Sequence, residues 1–245
     1  MLKRNEFKDL KIIKDIHSVI SIPHLILPSH IILTLYFIYY NESASRYSIS
    51  EFLAIPMTRT RKILNILEEF KLVIKFKGRK GTKLSEQGTN LCESLSKFFK
   101  IINLFESIDL GDLVLGKVNC LSAVPLNPIS QTINVIGLRD TSLKCGALGA
   151  SIFEISLEEG NKIKARFIDD TLENEKLNLP NNQMIRSKIF FNSIQEEKWI
   201  LIASTINDLP KYYFNPIFDS NQVNPFVITL VASVQTTWEL VEQEI

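Results

Sequence analysis

Proline at position 56 divides a stretch of helical periodicity, and the division constrains what the chain around it can fold into. The ring of Pro56 disfavours helical geometry at Ile55, so a helix over ISEFLAI must stop there. TRTRKILNILEEFKLV must then begin a second helix across a tight PMT connection. Ser48 is expected to cap the first helix, with Glu51 three residues on completing a Ser-x-x-Glu box. In the second, Ile63, Leu64, Ile66, Leu67 and Phe70 share a face, while Thr58, Arg61, Lys62 and Asn65 form the opposite stripe with Arg59 beside it. Short helix, tight turn and basic amphipathic helix make the outline of a helix-turn-helix, whose second helix presents its N-terminal residues to the major groove of DNA.

The next residues change period. In VIKFK, Val73, Lys75 and Lys77 alternate with Ile74 and Phe76; Gly78-Arg79-Lys80-Gly81 turns the chain and Thr82-Lys83-Leu84 returns it, which predicts a basic β-hairpin. A helix starting at Ser85 follows, with Leu91, Leu95, Phe98 or Phe99, and Ile102 as its apolar stripe. Upstream, Pro28-Ser29 before HIILTLYFIYYNES predicts a helix capped by Ser29 and ending near Asn41.

On these residues, 29–102 resemble a winged helix-turn-helix domain of the broad MarR-like and related archaeal regulator class. The most specific match is LSEQGTNL, Leu84 to Leu91, which is similar to the Leu-Ser/Thr-x-x-Gly-x-x-Leu signature where the second wing strand enters the following helix. The wing tip here is Gly78-Arg79-Lys80-Gly81, where that class often carries Asp-Arg. The resemblance implies duplex DNA as partner. It also implies an extra N-terminal helix that joins the post-wing helix in a dimer interface. Residues 7–21, with Leu10, Ile13, Ile16 or His17, and Ile20 on one face, fit such a helix, or one packed on its own core.

Charge supports the DNA expectation. Residues 1–110 hold 17 Lys and Arg against 11 Asp and Glu, and residues 111–245 hold 11 against 16, so a net +1 conceals halves of +6 and −5. From Thr58 to Lys83 nine basic residues stand against Glu68 and Glu69. Each cation that neutralises a phosphate releases counterions and makes affinity depend on salt. The expected DNA-binding residues are Thr58, Arg59, Arg61, Lys62, Asn65, Lys75, Lys77, Arg79, Lys80 and Lys83, with Arg61 and Asn65 able to reach base edges. The alternative is a solvated helix face and hairpin.

The second half reads as strands at Leu113–Leu121, Gly149–Ser156, Lys162–Phe167, Ser187–Phe191 and Trp199–Ser204, with a turn at Glu159-Gly160-Asn161. Helices are expected from Ser130 to Cys145 and from Pro225 onward, giving a sheet covered on one side. GLRDTSLKCGALGASIFEI, Gly137 to Ile155, resembles a segment of archaeal proteins that join a winged helix to a C-terminal domain of uncharacterised function, which implies a small-molecule effector. Arg139, Asp140, Cys145, Gly146 and Gly149 are the candidate ligand residues; a surface ion pair, a buried cysteine and close internal packing are their structural alternatives.

No catalytic signature is present. His17, His24 and His30 all lie in the first half, and neither GxGxxG nor GxxxxGK[ST] occurs, so no enzyme, cofactor or metal is expected. Asp112, Asp140 and Glu154 would support an enzyme only if brought together. Three unpaired cysteines, no signal-peptide pattern, and an apolar run of about 10 residues where a span needs about 20 predict a cytoplasmic protein away from membranes. The whole predicts an α+β chain: residues 1–110 a winged helix-turn-helix domain, residues 111–245 a small α/β or α+β domain that senses an effector or dimerises. The expected function is a homodimeric transcriptional regulator. A protein-interaction module of a transcription-related assembly is the alternative.

Overall fold

The computed structural model describes residues 8–20, 25–76, 81–127, 129, 132–157, 163–168, 183, 185, 198–207, 217–218 and 223–242. Lys77, Arg79, Lys80, the strand expected at Ser187–Phe191 and the turn at Glu159–Asn161 lie outside them. The fold is α+β. The first half runs α1 (Lys8–Ser18), α2 (Pro28–Tyr40), α3 (Arg46–Leu53), α4 (Met57–Glu69), β1 (Val73–Lys75), β2 (Thr82–Leu84) and α5 (Glu86–Phe98). The remainder is β3 (Lys100–Ile101), a 3-10 turn (Gly111–Leu113), β4 (Val118–Pro125), α6 (Val135–Lys144), β5 (Gly149–Leu157), β6 (Ile163–Phe167), β7 (Trp199–Ile206) and α7 (Pro225–Glu242).

Local chemistry moves several boundaries. The cap of α3 is Ser45, whose Oγ accepts from Ser48 N at 2.9 Å, so the expected cap Ser48 lies inside the helix. α2 begins at Pro28, the position proline favours; the backbone N of Leu27 donates to His30 Nδ1 at 3.0 Å. Ser29 is therefore an interior, buried residue rather than a cap. α6 starts at Val135 instead of Ser130 because Asn134 Oδ1 accepts from Gly137 N at 3.0 Å.

β1 and β2 pair antiparallel, Ile74 opposite Lys83 and Lys75 opposite Thr82. A third segment joins them between α2 and α3: Ala44 N donates to Thr82 O at 2.9 Å and Thr82 N to Ala44 O at 2.8 Å. Gly81 makes this approach possible, since at φ +71° a Cβ would stand 2.7 Å from the Ala44 carbonyl oxygen.

α5 stops at Phe98, short of the expected Ile102, and Lys100–Ile101 becomes the edge strand of the second half's sheet, opposite Ala123 and Ser122. That sheet has the order β3-β4-β7-β5-β6, with every recorded pairing antiparallel. All eight residues of central β7 are buried, so the sheet is covered on both faces there, not one. α6 and α7 cover one face. Ile102, Ile108, Leu110 and Ile185 pack against Leu121, Phe153 and Leu201 on the other.

α7 explains the join between the halves. FVITLVASVQTTWELV is apolar nearly all round, which a helix sustains only when enclosed. It packs on β4 and β7 and also contacts α2, α3 and α6. Several of its polar residues find partners inside: Ser122 Oγ lies 2.6 Å from both Ser233 Oγ and Thr237 Oγ1, and Gln235 Oε1 accepts from Ser29 N at 3.2 Å. One apolar core therefore runs from Leu10 to Val241 across residue 110.

Candidate nucleic-acid interface

α4 buries Thr60, Ile63, Leu64, Ile66 and Leu67. Thr58, Arg61, Asn65, Glu68 and Glu69 are exposed on the opposite side, with Lys62 half-buried. The stripe is as its spacing predicts, with cations at the N-terminal end and carboxylates at the C-terminal end. Lys83 is exposed on β2, opposite Ile74. Arg61, Lys62 and Lys83 thus remain on the surface formed by α4 and the hairpin.

Arg59, Lys75 and Asn65 are engaged within the chain. Arg59 Nη1 donates to the Ile217 carbonyl at 2.7 Å, so its guanidinium ties α4 to the second half. Lys75 Nζ donates to Asn65 Oδ1 at 2.6 Å and to Glu68 Oε2 at 2.8 Å. This clamp neutralises Lys75 and fixes the Asn65 amide, leaving Asn65 Nδ2 as the side-chain donor. Lys77, Arg79 and Lys80 lie outside the described residues. Sequence reasoning missed Ala44, whose pairing has no side-chain signal, and missed Glu68 as the partner of Lys75.

Hairpin, α4 and α5 are locked by the LSEQG segment. Ser85 N donates to Leu72 O at 3.0 Å, Ser85 Oγ donates to Lys71 O at 2.5 Å and accepts from Gly88 N at 3.0 Å. A Cβ on Gly88 would overlap the Leu72 carbonyl oxygen, so α5 crosses this turn at a distance only glycine allows.

Of the second set of candidate residues, Arg139, Cys145 and Gly146 have structural contacts. Arg139 Nε donates to Ala150 O at 3.3 Å, joining α6 to β5, while Asp140 is exposed. Gly146, at φ +96°, ends α6 with its N donating to Leu143 O at 2.8 Å. Gly149 opens β5 with open space where a Cβ would be. Cys145 packs with Ala147 against Ala232 of α7, and burial pushes its thiol up to about 12, with Glu239 adding to the rise. It stays a protonated core residue at neutral pH. Glu154 is held by Arg166 at 2.7 Å and Lys198 at 2.9 Å, an ion-pair role on the sheet.

Among the described residues, no group of three or more His, Cys, Asp or Glu can hold a metal ion, and no helix is long and apolar enough to cross a membrane. The α1 face expected either at a dimer interface or in the core is in the core: Leu10, Ile13 and Ile16 are buried within the chain, against α2 and α5.

No family model and no curated protein matches the chain. Among solved structures, the fold is similar to that of a hypothetical protein from Pyrococcus horikoshii OT3, with a TM-score of 0.53 at 19% identity over 88% of this chain and 94% of that one. At that identity the likeness shows the fold alone, and it extends across both halves.

Proposed function

We propose that the chain is a DNA-binding transcriptional regulator, with α3 and α4 as a helix-turn-helix and β1–β2 as its wing. The observation that carries this reading is the Ala44–Thr82 pairing. It sets a bridging residue between α2 and α3, which supports reading α2 to α5 in the order helix, bridge, helix, helix, two-stranded wing, helix. On that frame the exposed N-terminal stripe of α4 faces the groove. Arg61 and Asn65 Nδ2 are its base-reading donors, and Lys62, Lys83 and the tip residues Lys77, Arg79 and Lys80 follow the phosphates. The second half senses an effector or mediates assembly.

Fluorescence anisotropy with duplex DNA tests the reading. Arg61→Ala/Lys83→Ala is expected to weaken binding about 10-fold to 100-fold at low salt and, with the phosphate contact of Lys83 lost, to reduce the salt slope by about 1. Unchanged affinity in that variant contradicts it. Glu68→Gln removes a negative charge beside the stripe and releases Lys75. It is expected to tighten DNA binding about threefold while leaving stability within about 0.5 kcal/mol, because exposed ion pairs contribute little.

A second reading rests on Ile74 and Phe76, which are 48% and 42% exposed on the hairpin. Apolar side chains there suit a protein partner better than phosphate. Binding to such a partner would persist at salt concentrations that abolish DNA binding.

A further inference from the structure

We propose that the cleft between α3 and the start of α7 binds a small organic ammonium cation bearing apolar or aromatic substituents. The cleft has a volume of about 600 Å³, within the roughly 300–1,000 Å³ usual for small-molecule sites. α3 contributes Tyr47, Glu51 and Phe52, the segment before the sheet contributes Phe105, and α7 contributes Phe226 beside Asn224.

Its rings are left wet and held in place. Tyr47 is 68% exposed and Phe105 58% exposed, large apolar areas for a folded surface. Phe52 stacks on Phe37 with centroids 4.4 Å apart, and Phe105 lies 6.2 Å from both Phe52 and Tyr40. Phe52 and Phe105 are therefore braced by aromatic neighbours before any ligand arrives.

Charge selects the ligand. Among the described residues, Glu51 is the charged residue lining the cleft, and it has no ion-pair partner there. No lysine, arginine or histidine among the described residues lines the space to receive an anion. Ring faces attract a cation through their quadrupoles, and a carboxylate at the rim neutralises it. α3 packs on α4, so occupancy would be felt by the DNA-facing helix. That consequence rests on the DNA-binding reading; the site itself does not.

Calorimetric titration of the full chain with phenyltrimethylammonium is the test, with benzenesulfonate as an anion of similar shape. The cation is expected to bind saturably at one site. Tyr47→Ala and Glu51→Gln are each expected to weaken it about twofold to fivefold, the range an exposed cation–π or carboxylate contact supplies. Both side chains are exposed, so thermal melts of the variants should match the parent. No saturable binding up to about 10 mM, equal affinity for the anion, or unaltered affinity in both variants overturns the site. Anisotropy with DNA, with and without the cation, separates the two readings. A bound cation that leaves DNA affinity unchanged overturns the coupling alone, and a chain that binds no DNA overturns the regulator while the calorimetry still decides the cleft.

Discussion

Gly88→Ala is expected to destabilise the protein by about 2–4 kcal/mol, the range for forcing a methyl group into a filled contact. Alanine is the better helix former by about 1 kcal/mol, so propensity alone predicts the opposite sign. Sterics win because the new Cβ would overlap a backbone oxygen, that of Leu72, which is not the movable end of a side chain. Relief requires α5 to retreat from the turn at Lys71 and Leu72. The retreat would stretch the 3.0 Å bond from Ser85 N to Leu72 O and loosen the hairpin against α4. For a chain of this length the midpoint should fall by about 5–12 °C in a thermal melt. Gly111→Ala is the control: φ is +55° there and nothing lies within 4 Å of the added atom, so its cost is limited to backbone strain of about 1 kcal/mol. A Gly88→Ala protein as stable as the parent would mean that α5 does not cross the turn this closely.

The second large effect is on acid stability. His30 is fully buried at the start of α2, and burial, with Arg59 and His17 adding, lowers its pKa from 6.5 to about 3. Its Nδ1 accepts from Leu27 N, so the proton of the neutral ring sits on Nε2, which has no partner among the described residues. Above pH 6.5 the ring is neutral in both folded and unfolded chains and adds no pH dependence. As pH falls from 6.5 towards 3 the unfolded chain takes up a proton that the native chain refuses, so stability drops. The loss amounts to about 1.4 kcal/mol per pH unit, or about 2 kcal/mol at pH 5 from this residue alone. Glu154 also favours the folded state only while ionised: burial raises its pKa, but Arg166 and Lys198 lower it further, so its contribution is lost in a more acidic window, below 4.5. Denaturant titrations at pH 7.5 and 5.0 separate the two. His30→Asn keeps a side-chain acceptor for Leu27 N and should flatten the difference. Equal stability of the parent at both values would contradict the buried neutral ring.

Period and punctuation made much of the first half legible. Pro56 separates α3 from α4, the spacing from Ile63 to Leu67 identifies the buried face, and the Ser85 cap and Gly88 mark α5. Errors arose where two residues of one type competed for one role. Ser45 and Ser48 both suit a cap, and only the extended backbone of Ser45, φ −79° and ψ 154°, settles which serves. Other features depended on residues distant in sequence. Arg59 reads as part of the basic stripe until Ile217 is found beside it, 158 residues away. α5 has an apolar stripe that continues to Ile102, yet pairing of Lys100 and Ile101 with β4 halts the helix. The second half is covered on both faces because Ile108 and Leu110 fold across it, which hairpin periodicity does not encode. The cleft was invisible for the same reason, since Tyr47, Phe105 and Phe226 meet only in the folded chain.

On the proposed DNA-binding reading, Lys62 and Lys83, with Lys77, Arg79 and Lys80, supply five cations for phosphate. At about −0.9 per neutralised phosphate, the logarithm of affinity against the logarithm of salt should fall with a slope on the order of −3 to −5 per chain. A salt series of duplex-DNA anisotropy with the unmodified protein is therefore the most direct test. A linear decline of that steepness is the predicted result. Absence of binding at low salt, or an affinity indifferent to salt, would contradict the assignment of α4 and the hairpin as a DNA-binding surface.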